Sequence, residues 1–462
     1  MAVSNWAVTD WLNALDPFPT TVRIGVTGLA RAGKTSFLAC VAANLLAMGA
    51  GQAALPALSA RLAGRRCTVR LSEAGAASLP RFALARHLAA LAADPPAWPA
   101  RTDAVSLLSL TLEVGRGGLA DLLPARTVTL EFLDYPGEWL LDLPLLRQDF
   151  AAFSAAMLER LAPLPAARPF LDFQAGLATA AADEALAETG HRLYRELLLG
   201  LRDQGLVWLQ PGRFLMPPPG ATPPWMGFFP MAGSGGLWRL LESRFNAYRA
   251  ATEAELAGPH FGRVDRLVVL ADVLAALHAG PAAWADTGLA LRSVAASLGG
   301  AWWRDLAVLG PVLEAVLAPL LAQLGGGGGI GRVAFAATKA DHVAARQRGN
   351  LRRLVQALTT VPSGQARSEA FAIAAVRCTE DFVWQLEGRP VSAVRGRVLG
   401  SPVMTRSYPG EVPENPPDAL FWQHPFLELP VFEPQLLPHG GQGGVAQLGV
   451  DALLAFLLED VL

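Results

Sequence analysis

Cysteine is scarce in this chain of 462 residues: Cys40, Cys67 and Cys378 lie far apart and form no CxxC pair. That spacing argues against a disulfide framework and against a thiolate zinc site. The seven histidines are scattered without an HExxH pattern, so a metal site built of protein ligands alone is not expected. Neither sign of charge is in excess. A net charge of −2 and a pI of about 6.4 leave no basic stripe for capturing nucleic acid. Mean hydropathy is high at +0.31, yet long uninterrupted apolar runs are missing. The most apolar stretch, Leu306 to Leu324, is broken by Pro311, Glu314 and Pro319 and abutted by Arg304 and Asp305. A buried or amphipathic helix is expected there and a transmembrane segment is not. The first residues, MAVSNWAVTDWLNALDPFP, lack a basic start followed by an apolar run, so no export signal is read and a cytoplasmic location is expected. Around Ser234, Ala232 stands where a GxSxG elbow needs glycine, which gives hydrolase chemistry of that kind no support.

The most informative scarcity is lysine. Of 38 basic side chains only Lys34 and Lys339 are lysine. Arginine is the default cation of this chain, so the two exceptions mark places where a slim point charge serves and a planar fork does not.

Lys34 sits in RIGVTGLARAGKTSFL. Arg23 to Thr27 reads as a short buried strand, Gly28 to Thr35 spells GxxxxGK[ST], and Ser36 to Leu46 reads as the helix that follows. Glycines at 28 and 33 let the backbone N–H groups of Arg31, Ala32, Gly33, Lys34, Thr35 and Ser36 approach phosphate oxygens, aided by the helix N-terminus. Lys34 is the candidate for the β- and γ-phosphates and Thr35 for Mg²⁺.

Thr127 to Trp139, TVTLEFLDYPGEW, alternates as a partly buried strand and ends in DxxG. Asp134 is the candidate for holding Mg²⁺ and the Gly137 N–H for sensing the γ-phosphate. Lys339 lies in VAFAATKAD, an apolar strand pattern ending in Thr338-Lys339-Ala340-Asp341. A carboxylate at Asp341 accepts two hydrogen bonds from the N1–H and exocyclic amine of guanine, and adenine offers no such pair. The Lys339 stem would lie along the purine face. Thr338 keeps an oxygen where an asparagine is usual but lacks its amide donor. Three nucleotide contacts at successive strand ends predict an α/β fold: a P-loop NTPase, three-layer α/β/α sheet with large helical insertions.

These segments carry a resemblance. GLARAGKTSFL, WPARTDAVS, LEFLDYPGEWLLDLPLL, HFGRVDRLVVLADVL, FAATKADHV and YPGEVPENPP are similar to the bacterial YcjX-like family of P-loop proteins, and they cover the chain to about residue 417. The resemblance implies that the core is a Ras-like GTPase core, similar to that of Ras and Gα proteins. It also implies a protein partner acting as effector or regulator, a bacterial inner-membrane protein, and so peripheral association with that membrane.

The order of elements predicts a discontinuous core at 1–142 and 263–383, a helical insertion at 143–262, an irregular Pro/Gly-rich extension at 384–444 and a C-terminal helix at 445–462. Within it, Ala370 to Thr379 reads as the last strand. Ala374-Ala375 resembles the small-residue loop whose N–H groups approach a base carbonyl, with Ala375 the nucleotide-binding candidate. The Pro-rich Asp94 to Thr102 holds the place of a switch loop: Thr102 is a candidate Mg²⁺ ligand and Arg101 a candidate internal arginine finger. Glu138, next after DxxG, is either a slow base for attacking water or a solvent-facing side chain. The functional expectation is a GTP/GDP-binding, Mg²⁺-dependent regulatory switch with slow hydrolysis. An ATP-dependent enzyme, either an ATPase or a small-molecule kinase, on the same core is the alternative, and a nucleotide-binding scaffold without turnover also remains open.

Overall fold

The computed structural model describes residues 20–72, 79–100, 105–122, 124–217, 220, 222–256, 264–298, 330–359, 366–424, 426–437 and 443–462. Arg101, Thr102 and the stretch Leu306 to Leu324 lie outside them.

Ten strands are described: β1 Thr20–Gly28, β2 Cys67–Leu71, β3 Ser106–Val114, β4 Arg126–Asp134, β5 Arg266–Ala271, β6 Arg332–Ala337, β7 Arg367–Ala372, β8 Thr379–Leu386, β9 Arg389–Arg397 and β10 Met404–Ser407. The first seven form one sheet in the order β2-β3-β4-β1-β5-β6-β7. From β4 to β7 every neighbouring pair is parallel, whereas β2 and β3 join antiparallel at one edge.

Strand alternation builds a core on each face. In β5, Val268 and Leu270 face the same side as Ile24, Val26, Leu130 and Phe132, against the helices Lys34–Gly49 and Val450–Leu457. Leu267 and Val269 face the other side with Val333 and Phe335, against the helices Val273–Ala279, Pro281–Leu298 and Arg348–Leu358. A parallel sheet covered on both faces explains why β5 and β6 read as near-continuous apolar runs. The chain is therefore a three-layer α/β/α protein with a mostly parallel sheet. Among the described residues no helix is long and apolar enough to cross a membrane.

A third core belongs to the stretch after β4. Helices Phe150–Leu161, Arg168–Ala175, Glu184–Asp203 and Gly236–Leu256 enclose Phe150, Phe153, Tyr194, Phe228, Phe245 and Tyr248. Its aromatic rings interlock, with Phe153 stacked on Phe245 at 5.0 Å. Buried Asp286 ties this helical insertion to the helix Pro281–Leu298: it accepts the Val207 and Trp208 N–H groups at 2.5 and 2.6 Å and pairs with Arg160.

Two expectations are corrected. The last strand of the main sheet ends at Ala372, not Thr379, and residues 373–378 form a loop above β6. The stretch after 384 is not wholly irregular, because β8, β9 and β10 make a second, antiparallel sheet. Its hairpin turns on Glu387 and Gly388, both at positive φ (49° and 76°), a two-residue turn whose twist suits antiparallel strands. Gly388, Pro390 and Gly396 hid that strand signal. Gly396 is needed because Phe432 packs where a Cβ would stand, 2.7 Å from the ring. Trp422 and Phe426 pack on the core.

Candidate functional site

The sheet register brings the motifs to one edge. Val26 in β1 lies opposite Asp134 in β4, and Gly28 lies opposite Leu270 in β5. Residues 28–35, 134–138 and 338–341 thus follow the C-terminal ends of β1, β4 and β6, where open parallel sheets bind ligands.

The loop after β1 has the backbone the spelling calls for. Arg31 (φ 60°) and Gly33 (φ 79°) are left-handed, and the helix Lys34–Gly49 starts immediately after. A Cβ at Gly28 would stand 2.6 Å from the Leu270 carbonyl oxygen, so only glycine fits. At Gly33 nothing among the described residues lies within 4 Å of that position. Lys34 Nζ donates to the Gly28 carbonyl at 3.1 Å, placing the ammonium across the loop. Ala32 is buried, Arg31 is exposed, and Thr35 and Ser36 are half-buried at the first turn.

Asp134 is 3% exposed at the end of β4, opposite Ser106 of β3. The carboxylate of Asp134 and the hydroxyl of Thr35 are hard oxygen donors, a set that fits Mg²⁺ and not a soft metal. Gly137 opens the short helix Gly137–Leu140, and a Cβ on it would collide with the Gly28 carbonyl oxygen. The DxxG turn therefore lies directly on the phosphate loop. Glu138 is 5% exposed, which removes the solvent-facing alternative for it.

At the end of β6, Thr338 is buried with its hydroxyl on the Ala271 carbonyl at 3.3 Å. Lys339 is left-handed (φ 58°) and pairs at 2.5 Å with Asp272, whose other oxygen caps the next helix through the Ala275 N–H at 3.0 Å. Asp341 is 1% exposed. Its Oδ2 accepts the Cys378 N–H at 2.8 Å and the Cys378 thiol at 3.0 Å, and its carbonyl accepts the Thr379 hydroxyl. Burial and the neighbouring carboxylate push the Cys378 thiol far up, so it remains a protonated donor. Burial holds His342 below the usual histidine range, hence neutral. The loop after β7 is brought alongside by the Ala340 N–H, which donates to the Ile373 carbonyl at 3.0 Å. Ala374 spends its amide on the Leu448 carbonyl at 2.9 Å, and Ala375 follows it in the loop.

Sequence reasoning missed Cys378, Asp272, Asp142 and Arg213. Cys378 was hidden because its segment reads as strand. Arg213 left a signal: it is the lone charged residue between Asp203 and Arg239, in a Pro/Gly-rich apolar run.

Comparison with known proteins agrees with this arrangement. The chain is 33% identical to "Ras-like GTPase YcjX" of Escherichia coli K12 over 471 residues, 96% of each chain. It is 29% identical to "Ras-like GTPase YcjX" of Shewanella oneidensis over 475 residues, 96% of this chain and 94% of that one. The model of the YcjX-like family, DUF463, matches residues 22–462, and with the phosphate loop, the DxxG turn and the Thr-Lys-Ala-Asp strand end on one sheet edge, the chain belongs to that family.

Proposed function

We propose that this protein binds GTP and GDP with Mg²⁺, hydrolyses GTP slowly and works as a nucleotide-controlled regulatory switch. The observation that carries the reading is Asp341. A buried carboxylate, oriented by Cys378 and flanked by Lys339, stands at a strand end of the sheet that also carries the phosphate loop. Two relatives named as Ras-like GTPases across nearly the whole chain support it.

In this reading the amides of residues 31–36 and the Lys34 ammonium hold the phosphates. Thr35 and Asp134, with Thr102, would hold Mg²⁺, which neutralises charge between the β- and γ-phosphates. The Gly137 N–H detects the γ-phosphate. Glu138 orients the attacking water from beneath its shielded turn, and Arg101 is the candidate cation for the transferring group. A carboxylate facing a charged γ-phosphate is a poor substitute for a neutral amide, which keeps turnover slow. The helical insertion, packed on the DxxG turn, is the part able to report the bound nucleotide to an effector.

The test is nucleotide identity. Purified protein is denatured and the released nucleotide identified, and GDP and ADP are then competed for the emptied protein with and without Mg²⁺. Guanine nucleotide retained and GDP favoured is expected. A clear ADP preference would replace the GTPase reading with an ATP-dependent enzyme.

A further inference from the structure

The DxxG turn is held from two sides, and the second side belongs to the helical insertion. On one side Gly137 rests on the Gly28 carbonyl. On the other, a Cβ on Gly212 would collide with the carbonyl oxygen of Glu138, so the insertion's backbone touches the turn at the residue of catalytic interest. The contacts continue along both segments. The Gln210 amide donates to the Leu141 carbonyl, and the Trp139 indole N–H donates to the Met216 carbonyl at 2.8 Å. Asp142 Oδ1 accepts the Gly212 N–H at 2.7 Å and its Oδ2 accepts the Tyr248 hydroxyl at 2.5 Å.

Arg213 is the centre of this grip. Its side chain is only 2% exposed, its guanidinium lies 4.8 Å from the centre of the Trp139 ring, and it pairs with Glu255 at 2.8 Å. A buried arginine costs desolvation and is held here by stacking on Trp139 and by the Glu255 carboxylate. A small, partly open space of about 10 Å³, the size of one water, lies between the phosphate loop (Leu29, Ala30), the turn (Gly137, Glu138) and the insertion (Leu209, Leu215).

We propose that residues 210–216 of the helical insertion fix the geometry of the Gly137–Leu140 turn, and that Arg213 is a positioning residue for GTP hydrolysis acting through Trp139 and Glu138. The proposal rests on the GTPase reading above. It adds that the insertion is an internal brace for the hydrolytic turn: the turn cannot shift away from Gly28 without breaking the Gly212, Arg213 and Asp142 contacts. Control of hydrolysis is thereby shared between the turn and the helical insertion that braces it.

The experiment compares full-length parent with Arg213→Met, Arg213→Lys and Glu255→Gln. Steady-state GTP hydrolysis is read as kcat and KM separately, and amide hydrogen exchange is read over residues 135–142. For Arg213→Met we expect kcat to fall about ten- to a hundred-fold with KM nearly unchanged, the signature of a misplaced catalytic group. Exchange over 135–142 should rise while helix Lys34–Gly49 stays protected. Arg213→Lys should recover part of kcat, because a cation over Trp139 is retained. Glu255→Gln changes a side chain at the edge of the cluster, keeps the fold testable if Arg213→Met misfolds, and should move kcat the same way by less. Parental kcat in Arg213→Met, parental exchange over 135–142, or a loss confined to KM would each overturn the proposal; parental kcat in Glu255→Gln would do so if Arg213→Met misfolds. A parent that binds GDP but hydrolyses no GTP overturns the hydrolysis reading itself, whereas a parent that turns over at the rate of Arg213→Met overturns only the role of Arg213.

Discussion

Replacing Asp341 by asparagine should exchange the base this protein prefers, and the structure says which way the new amide will point. Cys378 presents two donors to Oδ2, its N–H at 2.8 Å and its thiol at 3.0 Å. Only the amide oxygen of asparagine can accept them, so the NH₂ group is forced into the Oδ1 position. Facing guanine, that NH₂ opposes a donor with a donor, and the remaining bond to the oxygen loses its charge. Bonds to a charged acceptor contribute about 1.5–3 kcal/mol each, so GDP affinity should fall by roughly 3–5 kcal/mol, on the order of 10²- to 10⁴-fold. Xanthine carries a carbonyl where guanine carries its exocyclic amine and should gain what guanine loses. The assay is competition of GDP, XDP and ADP for parent and variant, with thermal melting as a control on folding. Melting should change little, since the Cys378 donors keep their acceptor. A variant that ranks GDP over XDP as the parent does would refute the reasoning, because Asp341 would then not read the base.

Three further outcomes are expected. Cys378→Val removes the thiol donor and should weaken GDP by about three- to ten-fold, while Cys378→Ser should restore it; equal affinity in both would show that the thiol does not orient Asp341. Gly137→Ala places a methyl against the Gly28 carbonyl, so GTP turnover should drop about a hundred-fold, and normal turnover with a normal melting temperature would contradict the close packing. Burial pushes Asp142 up from 3.8 to about 6, against the opposing pull of Tyr248, Gly212 and Arg213. Its folded value lies above its unfolded one, so the stability it confers is complete below pH 4 and is lost as pH rises through 6. That loss is on the order of 3 kcal/mol. Denaturant unfolding of parent and Asp142→Asn from pH 4 to 7 should therefore show the parent falling relative to the variant, and parallel curves would count against a raised value.

Much of the fold was legible because its signals are local. Gly28 to Thr35 reads directly, since a phosphate cradle needs consecutive residues with fixed backbone angles. The apolar runs of β5 and β6 follow from burial on both faces of a parallel sheet. The hairpin of β8 and β9 was not legible, because Gly388, Pro390 and Gly396 mimic irregular chain, while Gly388 serves the turn and Gly396 the packing of Phe432.

By itself the sequence determined the phosphate loop, the DxxG turn, the Thr-Lys-Ala-Asp strand end and their order along one sheet, because each is written in neighbouring residues with its own spacing. Tertiary structure alone decided the partners of those motifs. Cys378 meets Asp341 across 37 positions and Tyr248 meets Asp142 across 106. No periodicity records such meetings, since they depend on where strands end and how the insertion folds back. The lone arginine at 213 becomes meaningful only when Trp139 and Glu255 close around it, for burial is a property of the folded chain.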